Sequence, residues 1–254
     1  MSRIFQVTAL VLFSAVVFAA AQTAPDIAAL TAKAESGDAK AEFDLGQCYA
    51  SSHGVPQDQS EAARWFRKAA EQGFVVAQER FANVLLYGYG VTQSTPEALA
   101  WFQKAAEHGD VESADMLGQV YENGGPLAVI RRPDGTYSAG PIPPSAATAK
   151  DYARAAYWYR IAANHGDAAA QNGIVASAQN SLGRLYRLGE GVPQDYSEAY
   201  FWLSLAEAND NTSTTNGVDD RDLAASHLTK AALLQVQDRA RKWFEDHAAK
   251  RAAQ

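Results

Sequence analysis

The chain has little of what crosslinked, metal-binding or nucleic-acid-binding proteins usually carry. A single cysteine among 254 residues excludes an intramolecular disulfide and any zinc site built on several thiolates. Basic residues are also scarce, because 22 Lys and Arg stand against 29 Asp and Glu and give a formal net charge of −7. Since phosphate binding needs a basic face, we expect no nucleic-acid partner.

Long apolar runs are absent from the sequence beyond the N-terminus. Residues 4–20 are almost entirely apolar and follow one basic residue, Arg3, while Ala19 and Ala21 supply the small side chains that precede a cleavage site. This pattern is typical of a secretory signal peptide over residues 1–21. A membrane anchor is the alternative, but the run is short for a spanning helix of about 20 residues and no basic flank follows. We expect a periplasmic or secreted protein of a bacterial envelope, with no stable membrane insertion after cleavage and, without Arg3, a net charge of −8.

A period of 36 residues dominates the rest of the chain. Trp65 recurs as Trp101, and further copies stand at Trp158 and Trp202, displaced by insertions of 21 and 8 residues. The first insertion falls at about 127–148, and the second lies between residues 168 and 180. The period predicts an N-terminal half repeat at 26–40, repeats at 41–76, 77–112, 113–167 and 168–208, and a C-terminal helical cap at 219–250.

Each repeat is predicted to form two helices joined by a turn. In repeat one, Ala41 and Leu45 share a helical face, Gly54 breaks the chain, and Asp58 or Ser60 is the expected N-cap of the second helix. The tryptophan of each second helix is expected to fill the core rather than a ligand site. The eight-residue insertion is expected to lengthen one helix by about two turns, and the polar segment 209–219 to form a loop.

The sequence motifs carry a family resemblance. Leu-Gly-x-x-Tyr at 45–49 and Gly-Val-Pro-Gln-Asp at 54–58 recur at 182–186 and 191–195. Together with Trp65 they resemble the Sel1-like repeat over about residues 26–208. Repeats two and three match more loosely, because repeat two has Phe-Ala for Leu-Gly and repeat three loses the Gly-Val turn to its insertion.

The resemblance implies an all-α fold, namely a right-handed α-solenoid of about four helix-turn-helix repeats related to tetratricopeptide repeats. It also implies a scaffold or adaptor role with a protein or peptide partner. Some cysteine-rich relatives carry a disulfide in each repeat and have been linked to β-lactam binding or hydrolysis. Because this chain lacks those cysteine pairs, a cell-wall-related or β-lactam hydrolase is kept only as an alternative, beside a purely structural periplasmic role.

No set of residues in the sequence assembles a catalytic, cofactor-binding or metal site. None of the five histidines has chelating spacing, and His108 and His165 stand where repeat one has Gln72, which indicates a capping or solvated role. Cys48 is expected to be a buried, unreactive thiol. We therefore expect no enzyme activity, no cofactor and no metal.

Departures from the period are the better candidates for partner contacts, because inserted residues are free of the constraints on the core. The insertion at about 127–148 places Arg131, Arg132 and Tyr137 around an Asp-Gly turn, with a short extended segment on each side. These three residues are the predicted partner-binding set. A tolerated surface insertion without a function is the alternative.

Overall fold

The computed structural model describes residues 26–125, 128–131, 137–140, 149–165, 172–209 and 215–252, and within these ranges the chain forms eleven helices and one two-stranded hairpin. In chain order they are α1 (Ile27–Glu35), α2 (Ala39–Ser51), α3 (Gln59–Glu71), α4 (Val75–Tyr87), α5 (Thr95–Glu107), α6 (Val111–Asn123), β1 (Ala128–Arg131), β2 (Tyr137–Gly140), α7 (Tyr152–Asn164), α8 (Asn172–Leu188), α9 (Tyr196–Asn209), α10 (Thr215–Ser226) and α11 (Lys230–Ala252). The predicted all-α solenoid class is confirmed. The predicted signal peptide at 1–21 lies outside the described residues.

The chain divides into two compact units. One runs to Val84 and includes residues 88–92, and the other holds residues 85–87 and everything from Gln93 onward. In the first unit α1 packs on α2 and α2 on α3, with a core that includes Ala34, Ala41, Leu45 and Trp65. In the second unit α6, α7, α8 and α9 pack on each other in chain order, and α9 also contacts α10 and α11.

The contact between the two helices of a repeat depends on a glycine. In three repeats a glycine of the first helix lies so close to a large side chain of the second that an added Cβ would come within 2.5–2.8 Å of it. The pairs are Gly46 with Phe66, Gly118 with Tyr159, and Gly183 with Leu203. The pair in repeat three is kept although the 21-residue insertion separates its members, so the insertion leaves the helix contact intact.

The Pro-Gln-Asp motif caps both helices that flank the turn. The Gln57 side-chain amide donates to the carbonyl oxygen of Ala50 at the end of α2, at 2.8 Å. The Asp58 carboxylate accepts from the backbone N–H groups of Ser60 and Glu61 at 2.9 and 3.0 Å, at the start of α3. Asp58, rather than Ser60, is therefore the N-cap, and the motif satisfies backbone groups that both helix ends would leave unpaired.

Three of the four repeat tryptophans are buried, as predicted. Trp65, Trp158 and Trp202 are 3%, 7% and 4% exposed. The prediction is wrong for Trp101, which is only partly buried and carries the Lys104 ammonium 4.0 Å from its ring centroid. The neighbouring Phe102 is fully buried. In this helix the phenyl ring fills the core, while the indole lies near the surface under a lysine that keeps its charge in water.

One of two predicted boundaries differs from the structure. Helix α8 has 17 residues where α2 has 13, so at least about one extra turn is present, and residues 166–171, which overlap the expected insertion, lie outside the described part of the chain. The helix α10 begins at residue 215, so the segment 209–219, expected to be a loop, already contains the start of the first helix of the cap. Its polar composition suggested a loop, but polar residues are equally suited to the exposed start of a helix.

Turn glycines pack against the beginning of the second helix of the preceding repeat. Gly90 and Gly191 both have a φ of +71°, in the left-handed region that favours glycine. A Cβ at Gly90 would lie 2.2 Å from the carbonyl carbon of Gln59, and one at Gly191 would lie 2.1 Å from that of Tyr152. Since backbone atoms cannot move aside, these positions couple neighbouring repeats.

We predict that Gly191→Ala lowers the free energy of unfolding by about 3 kcal/mol or more, because it adds a backbone clash to the strain of a positive φ. Gly73→Ala is the first control, since its φ is +86° but nothing lies within 4 Å, and it should cost about 1 kcal/mol. Gly173→Ala, in open helical backbone, should stabilise by up to about 1 kcal/mol. Urea unfolding followed by circular dichroism measures all three, and equal losses for Gly191→Ala and Gly73→Ala would contradict the packing.

Candidate functional site

The insertion forms a hairpin that brings two of the three predicted partner-binding residues together. Strands β1 and β2 are antiparallel, with Arg131 opposite Tyr137 at the turn end and Ala128 opposite Gly140 at the other. The expected extended segments are therefore present as strands. Arg132 lies outside the described residues, and the partner-binding role of Arg131, Arg132 and Tyr137 stays a prediction.

The histidines lie at helix ends and in ring stacks. Nδ1 of His108 lies 2.7 Å from the carbonyl oxygen of Lys104, close to the end of α5, as expected for a capping residue. The His227 ring stacks on Tyr196 with 4.1 Å between centroids. Within the described residues, no group of three or more His, Cys, Asp or Glu is placed to hold a metal ion.

Cys48 is a buried thiol on α2. It is 6% exposed, and burial, with a smaller contribution from the charge of Asp44, raises the pKa of the thiol above its ordinary value. Because the thiolate is the reactive form, this environment suppresses nucleophilic chemistry at neutral pH. The interpretation of Cys48 as a packing residue therefore agrees with its surroundings.

A polar network that the sequence analysis missed joins α6, α7 and α8. The Tyr159 hydroxyl donates to Oε2 of Glu122 at 2.7 Å, and Arg184 forms an ion pair with the same carboxylate. Burial, followed by the nearby charge of Asp115, raises the pKa of Tyr159 well above its ordinary value, so the phenol stays protonated as a donor. Each member has a partner, as buried polar groups require, and the network fixes three helices relative to each other.

Asp115 is a buried acid with an incomplete set of hydrogen bonds. It is 7% exposed, and its Oδ2 accepts from the Gln119 amide at 2.6 Å, whereas its Oδ1 has no hydrogen-bond partner among the described residues. The pKa of Asp115 is raised to about 6, chiefly because the carboxyl is buried; the hydrogen bond from Gln119 lowers the pKa and the nearby charge of Glu112 raises it. The sequence did not single out Asp115, because this repeat position holds Phe43 in repeat one but the polar residues Glu79 and Asn180 in repeats two and four.

A second feature that sequence reasoning missed is a groove between α9 and α11, which we call the cap groove. Its volume is about 500 Å³, and its lining includes Phe201 and Trp202 of α9 and Arg239, Lys242, Trp243 and Asp246 of α11. Pockets that bind ligands usually combine aromatic walls with a few polar groups in volumes of ~300–1,000 Å³. The signal in the sequence was Trp243, the one tryptophan of five that stands outside the repeat period.

The walls of the cap groove are held by contacts among their own residues. Glu198 accepts a hydrogen bond from the Trp202 indole at 3.1 Å and forms an ion pair with Arg239. The Arg239 guanidinium lies over the Phe201 ring, 3.8 Å from its centroid. Groups fixed in this way lose less freedom when a ligand binds, which favours binding.

Repeated helical hairpins, glycine contacts inside three of them and a capped turn between the helices define this chain as an α-solenoid repeat protein. The family model for the Sel1 repeat matches residues 39–74, 75–110, 145–167 and 176–211, about half of the chain. The chain belongs to the Sel1 repeat family, as the sequence motifs predicted. Sel1 repeat proteins generally mediate protein–protein interactions, and the family is typically a non-catalytic scaffold family.

Solved structures of similar proteins include a Sel1 repeat protein from Oxalobacter formigenes, with 29% sequence identity and a TM-score of 0.56 over 72% of this chain and 64% of that one. Another is a protective antigen present in uropathogenic Escherichia coli strains and displaying an SLR fold, with 25% identity and a TM-score of 0.45 over 88% of this chain and 49% of that one. The chain thus spans less than two thirds of the length of either protein. The comparison with curated proteins gave no match.

None of the described helices has the length and apolar character needed to cross a bilayer.

We predict that Asp115 makes the protein less stable as the pH rises from about 4 to about 6. The folded state binds the proton of Asp115 more tightly than the unfolded state, so stability is lost as this group ionises, by up to about 3 kcal/mol. Asp115→Asn should remove this component of the pH dependence, whereas Glu35→Gln, an exposed acid, should leave it unchanged. Urea unfolding at pH 4.5, 6 and 7.5 provides the comparison, and parallel pH profiles for wild type and Asp115→Asn would contradict it.

Proposed function

We propose that this protein is an exported scaffold or adaptor that binds a protein or peptide partner through the surface of its repeats. The observation that carries the proposal is the run of Sel1 repeats over about half of the chain, since proteins of this family generally act through protein–protein contacts. Stacked helical repeats offer extended surfaces that suit peptides and folded domains.

Export is supported by the N-terminal sequence. The apolar run at 4–20 after Arg3, with Ala19 and Ala21 before the expected cleavage point, is suited to recognition by a secretion system. A periplasmic or secreted location also agrees with the lone Cys48, which cannot mispair within the chain in an oxidising compartment.

We predict that the chain purified from the envelope or medium of the native cell lacks residues 1–21 and begins at Gln22. Intact-mass spectrometry and N-terminal sequencing measure this directly. Replacing Ala19 and Ala21 by Asp should block processing, because the cleavage site needs small side chains, and the precursor should accumulate. Full-length protein in the cytoplasmic fraction of wild-type cells would contradict export.

Side chains for partner contacts are present on the helices and on the insertion. The described helices expose several large apolar side chains, including Tyr157, Leu223 and Leu234 at 59%, 45% and 58% exposure. The hairpin insertion adds Arg131, Arg132 and Tyr137, residue types that dominate binding energy at interfaces. Arg131 and Arg132 also place two adjacent positive charges in a chain whose net charge is −7.

The alternative, a cell-wall-related or β-lactam hydrolase, has weaker support. It rests on cysteine-rich relatives, and this chain has one cysteine where each of their repeats has a pair. A chromogenic β-lactam assay tests it directly. Turnover that disappears with a single side-chain substitution would favour the hydrolase over the scaffold.

We predict that removing residues 128–144 weakens capture of the native partner while the helical fold is retained. The insertion lies between the members of the Gly118–Tyr159 contact without disturbing it, so the deletion should leave that packing unchanged. Chemical crosslinking in the native envelope, followed by identification of the captured protein, gives the partner. The point variant Arg131→Ser/Arg132→Ser should reduce its yield, whereas Lys33→Ser/Lys40→Ser, with the same charge change on α1 and α2, should not.

If the folded deletion variant captures the native partner as well as the wild type does, the insertion has no role in partner binding, and the proposed scaffold function is unaffected. Absence of any specific partner for the wild-type protein would contradict the scaffold function itself.

A further inference from the structure

The cap groove contains acidic and basic side chains. Asp238 forms ion pairs with Arg241 and with Lys242, whose ammonium lies 2.8 Å from Oδ2, and Arg239 is paired with Glu198. Asp246 also lines the groove, is exposed, and forms no ion pair among the described side chains. Asp246 is thus the lining carboxylate that no described cation engages.

An indole accompanies this carboxylate. Trp243, three residues before Asp246 and close to it along the helix surface, also lines the groove. The His247 ring stacks on the indole with 3.6 Å between centroids and an interplanar angle of 21°, and its Nδ1 lies 2.7 Å from the Trp243 carbonyl oxygen. An oriented indole beside a carboxylate is suited to an ammonium or guanidinium group, because the ring face and the carboxylate both attract a cation.

We propose that the cap groove binds a short peptide segment of a partner protein, with a lysine or arginine side chain held by Asp246 and Trp243. This inference rests on the proposed function, since it assigns a surface and a chemistry to the partner. Apolar neighbours of the cation pack on Trp243 and on the alkyl stems of Arg239 and Lys242. The lining from Asp238 to Asp246 covers about 12 Å of helix, which matches about four residues of extended chain.

The groove also offers hydrogen-bonding groups for a peptide backbone. The Asn164 amide nitrogen donates to the carbonyl oxygen of Arg160 at 2.8 Å, which leaves its Oδ1 available as an acceptor. Asn164 and Gln235 are both exposed and line the groove. The Asn164 oxygen can accept a hydrogen bond from a peptide N–H, and the Gln235 side-chain amide can donate one to a peptide C=O group.

Charge complementarity favours a basic partner over a second copy of this chain. The formal net charge is −7, and −8 after removal of residues 1–21, so two copies repel each other. A basic segment is attracted by the same charge before it contacts Asp246. Because Asp246 is exposed to solvent, salt should screen its attraction for the basic segment and weaken binding.

The test uses the processed full chain and a blocked fluorescent hexapeptide, Gly-Leu-Lys-Leu-Lys-Gly, with Gly-Leu-Glu-Leu-Glu-Gly as the matched probe of opposite charge. We expect the lysine probe to bind in a fluorescence-anisotropy titration and the glutamate probe not to bind. Asp246→Asn should weaken binding about fivefold, as should Trp243→Leu. Glu245→Gln, with the same charge change at the neighbouring position outside the groove lining, should leave the affinity within about twofold of wild type.

Nuclear magnetic resonance locates the site independently. The chain has five tryptophans, so five indole N–H signals are expected, and the lysine probe should shift that of Trp243 more than those of Trp65 and Trp101. Equal losses for Asp246→Asn and Glu245→Gln, equal binding of both probes, no binding, or binding that leaves the Trp243 signal unmoved would each overturn the proposal. Concentration-dependent dimerisation that Asp246→Asn abolishes would assign the groove to a second copy instead.

Capture of the native partner distinguishes a failure of this proposal from a failure of the proposed scaffold function. If wild type and Asp246→Asn capture the same partner with equal yield, the scaffold function stands and the assignment of the cap groove fails. If no partner is captured by either protein, the scaffold function itself is contradicted.

Discussion

The close approach of two helices over a glycine is the contact on which the rest of this structure depends. At Gly46, Gly118 and Gly183 the absence of a Cβ lets a ring or a leucine side chain of the following helix rest almost on the backbone. Tight packing of this kind sets the separation and register of the two helices in each repeat. The turn glycines Gly90 and Gly191 then join one repeat to the preceding one by backbone contact. Stability is therefore distributed over a series of short-range contacts, and no single large core has to form.

The elements predicted correctly from the sequence are those that the period enforces. The residue type of Trp65 recurs in all four repeats, and those of Gly46 and Asp58 recur in three, because these repeats meet the same packing and capping requirements. Comparison of the sequence with itself therefore reveals them. Trp101 shows the limit of this reasoning, since the residue type recurs while its exposure differs. In repeat one Trp65 and its neighbour Phe66 are both buried, whereas in repeat two Phe102 is buried and Trp101 only partly so. The recurrence of a residue type therefore does not fix its exposure.

The features that the sequence did not reveal are those that occur once. The network of Glu122, Tyr159 and Arg184 joins residues far apart in the chain, and only the packing of α6, α7 and α8 brings them together. A similar pair, Arg187 with Asp220, links α8 to α10 at 3.1 Å. Such partly buried pairs add little net stability, but they disfavour alternative registers in which a charge would be left unpaired. Because the repeats resemble each other, apolar packing alone does not distinguish one repeat interface from another. Ion pairs that occur once make each interface specific for its own two helices.

The same argument explains why the two candidate binding surfaces lie where the period fails. A side chain at a repeating position is constrained by the helix contact that it serves, and changing it disturbs the neighbouring repeats as well. The hairpin between α6 and α7 and the α11 wall of the cap groove are free of that constraint, whereas Phe201 and Trp202 on the α9 wall are core residues of repeat four. The hairpin lies beside an undisturbed Gly118–Tyr159 contact, and the groove uses Trp243, which belongs to the cap rather than to a repeat. In such an architecture the repeats supply rigidity, and recognition chemistry can change at the insertion or the cap without changing the fold.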